Sequence, residues 1–354
     1  MADSSRPLSY VAPIVGSQRR RPLRDPGFMD SAIRTQSLRK VYPAPPPAKR
    51  ARSAAPRKEI VALEGLDLAV HAGEFFGLLG PNGAGKTTTI GILTTRVLPT
   101  AGHATVAECD VVRDAVNVRR RIGVVPQRPN PDRGLNAIEN LVFHSAYFGI
   151  NRHDATTRAM ALLDQLGIGD RAQSKVDELS GGQQQRLMIA RALIHQPTVI
   201  FLDEPTVGLD PQARLAFWEI LRHLHSEGRT IVMTTHYMEE ADQLCDRIAI
   251  MDRGQLLAQG TPRALKAKAP GGTFIELMVH GNAADLTEAT SALPGILSVS
   301  SSRDILRVCA ERPGEVISGL VHAASRTGLA ITDIHLSPPS LETLFVSLTG
   351  RKLD

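Results

Sequence analysis

Short apolar runs recur along the chain, separated by amphipathic stretches. Phe75–Leu79, Ile122–Val125, Val199–Leu202, Ile231–Thr234 and Ile248–Met251 are each four or five residues long. Runs of that length predict buried strands. Ile60–Val70 alternates instead, with Leu66, Leu68 and Val70 on one side, and Ile33–Tyr42 reads as another short strand. Helical patterns lie between the strands at Thr87–Leu93, Gln183–His195 and Gln212–Ser226. Strands alternating with helices predict a parallel sheet covered on both faces.

Pro270-Gly271-Gly272 interrupts this pattern. Beyond it the chain reads as a strand (Thr273–Val279), a helix (Ala283–Ala292), two strands around Ser302-Arg303-Asp304, a helix (Glu315–Arg326) and a strand (Ala330–Leu336). That βαββαβ order predicts a small ferredoxin-like domain. A last helix, Ser340–Leu348, closes it.

Composition changes the picture at one end only. The 354 residues leave room for two or three domains. No apolar run approaches the roughly 18 residues that span a bilayer. Three cysteines, Cys109, Cys245 and Cys309, show no paired spacing, which fits a reduced cytoplasmic protein. Residues 1–58 carry 13 Lys and Arg against 3 Asp and Glu, whereas the remainder carries 28 against 33. The basic leader, residues 1–30, is rich in Pro, Arg and Ser, and a proline-rich basic insertion, 43–58, follows the first strand. Such charge attracts anionic lipid or nucleic acid. The leader has no interleaved aromatics and no helical apolar stripe, so a solvated tail is the favoured reading and no specific nucleic-acid binding is expected.

The candidate chemistry starts after Phe75–Leu79. Gly80-Pro81-Asn82-Gly83-Ala84-Gly85-Lys86-Thr87 fits the phosphate-loop pattern, placed between a strand and a helix, with Thr88 next in line. Glycines let backbone N–H groups curl inward onto phosphate oxygens. The following helix offers its free N–H groups and positive dipole end to the same anion. Lys86 reaches the β- and γ-phosphates and the Thr87 hydroxyl serves Mg²⁺. Val199–Asp203-Glu204 is an apolar strand ending in two acids. Asp203 is placed to hold Mg²⁺ and Glu204 to polarise an attacking water; beside no phosphate loop, such a pair would read as ordinary surface acids. Leu179-Ser180-Gly181-Gly182-Gln183 opens a long helix and makes a second phosphate-grade helix start.

Phosphate loop, Leu179–Gln183 and Asp203-Glu204, in this order, resemble the nucleotide-binding subunit of an ATP-binding-cassette (ABC) transporter. The resemblance implies roles for further residues. Gln127, in Val124-Val125-Pro126-Gln127, matches the glutamine loop that contacts Mg²⁺ or the attacking water and moves with the permease. Asp210, in Gly208-Leu209-Asp210, matches the loop coupling two sites of a dimer, and His236 matches the switch histidine that holds the γ-phosphate. Tyr42 matches the aromatic that stacks on adenine, although the insertion follows it directly. Within the family the chain is similar to ATP-binding subunits of daunorubicin/doxorubicin-resistance type exporters, whose ends resemble Pro339–Gly350.

The resemblance therefore implies an α/β fold of P-loop NTPase, ABC type. It has a RecA-like core sheet, a helical subdomain, an antiparallel β part and a small α+β C-terminal domain. Residues 31–265 form the nucleotide-binding domain and 272–350 the C-terminal accessory domain. ATP and Mg²⁺ are the expected cofactors. One phosphate loop and one Leu179–Gln183 segment imply a homodimer with two composite sites. The permease is a separate integral membrane polypeptide, and the chain acts peripherally on the cytoplasmic face of the membrane. Asn136–Ile150, with Leu141, Phe143, Tyr147 and Phe148, falls where the family receives the permease's coupling helix; the same aromatics also read as ordinary helix core. A soluble ABC-type ATPase acting on nucleic acid or ribosomes is the alternative, but this sequence shows neither the second cassette nor the long coiled coil that such proteins usually carry.

Overall fold

The computed structural model describes residues 31–43, 59–269, 272–337 and 339–350. Contacts separate Met1–Asp30 from Ser31–Asp354, and the elements below belong to the second unit. The basic leader lies outside the described residues, as does the insertion apart from Pro43.

Two strands open this unit. β1 (Ser31–Pro43) and β2 (Glu59–His71) pair antiparallel from Ser31↔His71 to Pro43↔Glu59. The insertion thus leaves and rejoins the chain at cross-strand neighbours. Loop-closure entropy grows only slowly with length, so the ladder tolerates it. β3 (Phe75–Leu79), α1 (Lys86–Leu93), β4 (Ala101–Val106), β5 (Cys109–Asp110), α2 (Ala115–Arg121) and β6 (Ile122–Val125) follow. β4 joins β1 to complete an antiparallel sheet of order β2-β1-β4-β5.

A helical part comes next, with α3 (Ala137–Ala146), α4 (Arg152–Gln165) and α5 (Gly181–Leu193). Asn136 and Glu139 form a reciprocal capping box that starts α3. Buried Ala155, Ala159 and Leu163 recur at helical spacing along α4, which packs against α3 and α5. The chain then runs through β7 (Val199–Asp203), α6 (Pro211–Ser226), β8 (Thr230–Thr235), α7 (Met238–Leu244), β9 (Arg247–Asp252), β10 (Gln255–Gly260) and α8 (Pro262–Lys266).

The central sheet has the order β10-β9-β3-β8-β7-β6. It is parallel except at β10. Every residue of β3, β7 and β8 is buried, as continuous apolar runs require of a sheet covered twice. Alternate side chains go to opposite faces. Phe75, Leu79, Ile200 and Leu202 pack into the core shared with the helices. Phe76, Leu78, Phe201 and Val232 pack into the core shared with β1, β2 and β4.

The C-terminal part holds β11 (Thr273–His280), α9 (Thr287–Ser291), β12 (Ile296–Ser302), β13 (Ile305–Ala310), α10 (Pro313–Thr327), β14 (Ala330–Ser337) and α11 (Leu341–Thr349). Its antiparallel sheet has the order β12-β13-β11-β14. The helix expected over Ala283–Ala292 is instead a 3₁₀ turn, Ala283–Leu286, running into the short α9. Asn282, whose side chain accepts from Ala284 N at 3.2 Å, starts the tighter turn. Ile275, Leu277, Leu306, Val308, Val316 and Leu320 form a core of their own. α11 is the exception: Leu341, Leu344 and Phe345 pack into the cassette core against α7 and α8.

Between α3 and α5 lies a cluster of rings. Phe148 stacks on His195 with centroids 3.7 Å apart, and His144 sits 5.4 Å from Phe148 and 6.3 Å from His195. Burial, then the Arg191 guanidinium and His195, push the His144 imidazole down from 6.5 to about 4. The folded chain therefore resists a proton that the unfolded chain accepts. Stability from this site is complete above about pH 6.5 and is lost as pH falls toward about 4. Urea titrations of His144→Gln are expected to show a shallower loss over that window than the wild type.

Candidate functional site

The site grows from the ends of strands. β3, β7 and β8 stop level with one another, and the ladder continues into the loops: Gly80 N donates to Thr235 O at 3.3 Å and Glu204 N to Thr234 O at 3.2 Å. Gly80 opens the phosphate loop against β9, where a Cβ would meet Met251 O at 2.3 Å. Gly85 ends it with φ 103°, where a Cβ would meet Ala62 O at 2.7 Å. Neither position admits a side chain. Asn82 and Gly83 are exposed, Pro81 and Gly85 half-buried and Ala84 buried. Gly85 caps α1 without a side-chain bond, so the first N–H groups of that helix stay available to an anion.

Lys86, Gln127, Asp203, Glu204 and His236 meet here. Lys86 is 4% exposed. Its Nζ donates to Gly80 O at 2.6 Å and Pro81 O at 3.1 Å, and lies 3.1 Å from Glu204 Oε1. Gln127 Nε2 donates to Glu204 Oε2 at 2.8 Å. His236 Nδ1 is 3.5 Å from Glu204 Oε1, without hydrogen-bond alignment. Burial pushes the Glu204 carboxyl up, but Lys86 and then His236 outweigh it and hold the group below its ordinary range. Thr87 Oγ1 donates to Asp203 Oδ1 at 3.3 Å. Thr88 follows in α1, half-buried.

Two features escaped the sequence. Thr234 donates from Oγ1 to Asp203 Oδ1 at 2.6 Å and accepts from Glu204 N at 2.9 Å, so one hydroxyl orients both acids. Its type gave no signal, because threonine suits a strand interior. Glu204 itself has φ 46°, a left-handed backbone that non-glycine residues adopt at a cost. No residue pattern announces that conformation.

The remaining predicted residues stand apart from this cluster. Ser180 caps α5: its side chain accepts from Gln183 N at 3.3 Å while Gln183 Oε1 accepts from Ser180 N at 2.9 Å. Ser180 and Gly181 are exposed and Gly182 half-buried. Asp210 caps α6 through Ala213 N at 2.8 Å and is exposed. Tyr42 lies on β1 with Lys40 Nζ 4.8 Å from its ring centroid. Among the described residues, no hydrogen bond or ion pair joins Ser180–Gln183, Asp210 or Tyr42 to the phosphate loop or to Glu204.

The chain resembles known proteins over most of its length. The ABC transporter family model matches residues 63–207. The chain is 41% identical to the daunorubicin resistance ATP-binding protein DrrA3 of Streptomyces coeruleorubidus, over 82% of this chain and 91% of that protein. It is 40% identical to the Nod factor export ATP-binding protein I of Rhizobium sp. (strain N33), over 83% of this chain and 94% of that protein. Among solved structures, the dimeric form of MJ0796, a bacterial ABC transporter cassette, superposes with a TM-score of 0.57 at 29% identity. It covers 65% of this chain and 98% of that one. A dimeric post-hydrolysis state of the same cassette, bound to ADP and Pi, gives 0.56 at 28% identity, with 65% and 98% covered. With its strand-end phosphate loop, paired acids and kinship over most of its length, the chain belongs to the ATP-binding subunits of ABC transporters and is an ATPase of that family.

Proposed function

We propose that this ATPase drives efflux of a hydrophobic, drug-like substrate through a separate membrane permease, working as a homodimer on the cytoplasmic face of the membrane. The observation that carries the proposal is the split of the site. One chain gathers Lys86, Gln127, Asp203, Glu204 and His236 at its strand ends, yet leaves Ser180–Gln183 and Asp210 outside that cluster. A two-fold pairing lets each Ser180 helix start close on its partner's phosphate loop. The dimeric MJ0796 cassette supports this reading. The relatives' names, which speak of daunorubicin resistance and Nod factor export, support efflux over action on nucleic acid.

In this mechanism the phosphate-loop N–H groups and Lys86 bind the β- and γ-phosphates of ATP. Lys86 exchanges the Glu204 carboxylate for phosphate oxygens as it does so. That releases Glu204 to orient the attacking water and take its proton, with Gln127 and His236 aligning the γ-phosphate and the water. Tyr42 stacks on adenine. The hard oxygens of Thr87 and Asp203, already 3.3 Å apart, and the Gln127 amide oxygen suit Mg²⁺. Mg²⁺ supplies charge neutralisation at the phosphates when bound.

The permease contact is assigned to α3. Phe143 is 58% exposed and Tyr147 at its C-terminal end 74% exposed, whereas Leu141 is core and Phe148 is taken up by His195. The strand order β12-β13-β11-β14 around two helices supports a ferredoxin-like reading of accessory domain 272–350.

Glu204→Gln is expected to bind ATP, accumulate as a dimer and hydrolyse at least roughly a hundredfold more slowly, whereas Lys86→Ala loses binding and dimerisation. Steady-state phosphate release and size-exclusion chromatography with ATP measure both; near-normal turnover by Glu204→Gln refutes its role. For the composite site, inactive Ser180→Arg chains mixed with inactive Lys86→Ala chains are expected to regain part of the activity. A mixture no better than either variant alone argues that each chain completes its own site.

A further inference from the structure

The segments that carry Glu204 and His236 are both fastened to a third group, Glu240. It lies in the first turn of α7 and is 0% exposed. Its neighbour Glu239 shows the ordinary behaviour of an acid there: it is 69% exposed, 3.9 Å from Arg214. Glu240 turns inward instead. Its Oε1 accepts from Thr206 Oγ1 at 2.5 Å and Trp218 Nε1 at 3.0 Å, and its Oε2 accepts from Thr235 Oγ1 at 2.6 Å. All three donors are themselves buried.

Each donor belongs to a different part of the site. Thr206 is two residues beyond Glu204. Thr235 precedes His236, and its Oγ1 also accepts from Tyr237 N at 2.9 Å, so one hydroxyl grips the backbone on the far side of the histidine. Trp218 lies on α6, the helix capped by Asp210. Burying a carboxyl group is costly, and an apolar residue would fill the same space without that cost. What an apolar residue cannot do is hold three donors at fixed distances from one another.

We infer that Glu240 is a positioning residue for hydrolysis, setting the distance between Glu204 and His236 through Thr206 and Thr235. This rests on the roles given above to Glu204 and His236. Glu240→Gln separates the two arms. The amide oxygen must stay with Thr206 and Trp218, because an indole N–H only donates. The amide nitrogen then faces Thr235 Oγ1, which has to accept a second hydrogen bond and turn its own proton elsewhere. The perturbation is confined to the histidine side.

The test is ATP turnover by the purified full-length chain, with His236→Ala as reference. Glu240→Gln is expected to lower kcat roughly tenfold while KM for ATP stays within about twofold. Its melting temperature should stay within about 3 °C of the wild type. The double variant Glu240→Gln/His236→Ala should be no slower than His236→Ala by more than about twofold, because the two residues act as one. Thr235→Val should reproduce the loss and Thr235→Ser restore activity. Unchanged kcat in Glu240→Gln, or losses that multiply in the double variant, overturns the inference and leaves the site assignment standing. Normal turnover by His236→Ala overturns the site assignment itself, and the inference with it.

Discussion

The parallel registration of β3, β8 and β7 is the constraint on which the site depends. Phe75 pairs with Ile231 and Leu79 with Thr235, while Val199 pairs with Thr230 and Asp203 with Thr234. Three strands running the same way must end on the same side of the sheet. Their next residues, Gly80, Glu204 and His236, therefore arrive together although Gly80 precedes the other two by more than a hundred positions. A shift of one residue in either pairing would exchange the side chains that face the two cores, such as Phe75 and Leu79 for Phe76 and Leu78, so core packing fixes the site's geometry. The phosphate loop is shaped by what surrounds it, with Met251 and Ala62 leaving no room at Gly80 and Gly85.

Upon this frame sits a buried ion pair. Lys86 and Glu204 are 4% and 5% exposed, and taking both charges from water is expensive. The structure compensates with the carbonyl oxygens of Gly80 and Pro81 around the ammonium and with Gln127 at the carboxylate. Such a pair contributes little net stability, yet it holds the Glu204 carboxyl below its ordinary range and keeps the two groups aimed at each other. The left-handed backbone at Glu204 is held against its own preference by Thr234. Strain, burial and charge thus converge on one residue at the end of β7.

Much of this was legible in the residues, and the rest was hidden for physical reasons. The five buried strands of the central sheet follow from short apolar runs, and the helices Pro211–Ser226 and Pro313–Thr327 from their apolar stripes. α5 begins at Gly181 rather than Gln183, because the Ser180 capping box offsets the poor helix propensity of two glycines. β4 went unread, since its Ala-Gly-His-Ala start carries no apolar alternation. α7 is seven residues long and opens with two glutamates, so its inward-facing Glu240 looks like any solvated acid. Phosphate-loop and acid positions announce themselves by type and spacing. Thr234 and Glu240 do not, because their significance lies in partners brought from distant segments.

The placement of α11 bears on synthesis. Leu341, Leu344 and Phe345 complete the same core as Phe75, Ile200 and Leu265, although more than sixty residues of a separately cored segment intervene between Leu265 and Leu341. A nascent chain that has emerged only through Ala310 holds every nucleotide-site residue but still exposes the apolar seat on α7 and α8. That surface is covered only when the last helix clears the ribosome. Emergence of α11, rather than of the cassette alone, is therefore the moment when this apolar seat is covered.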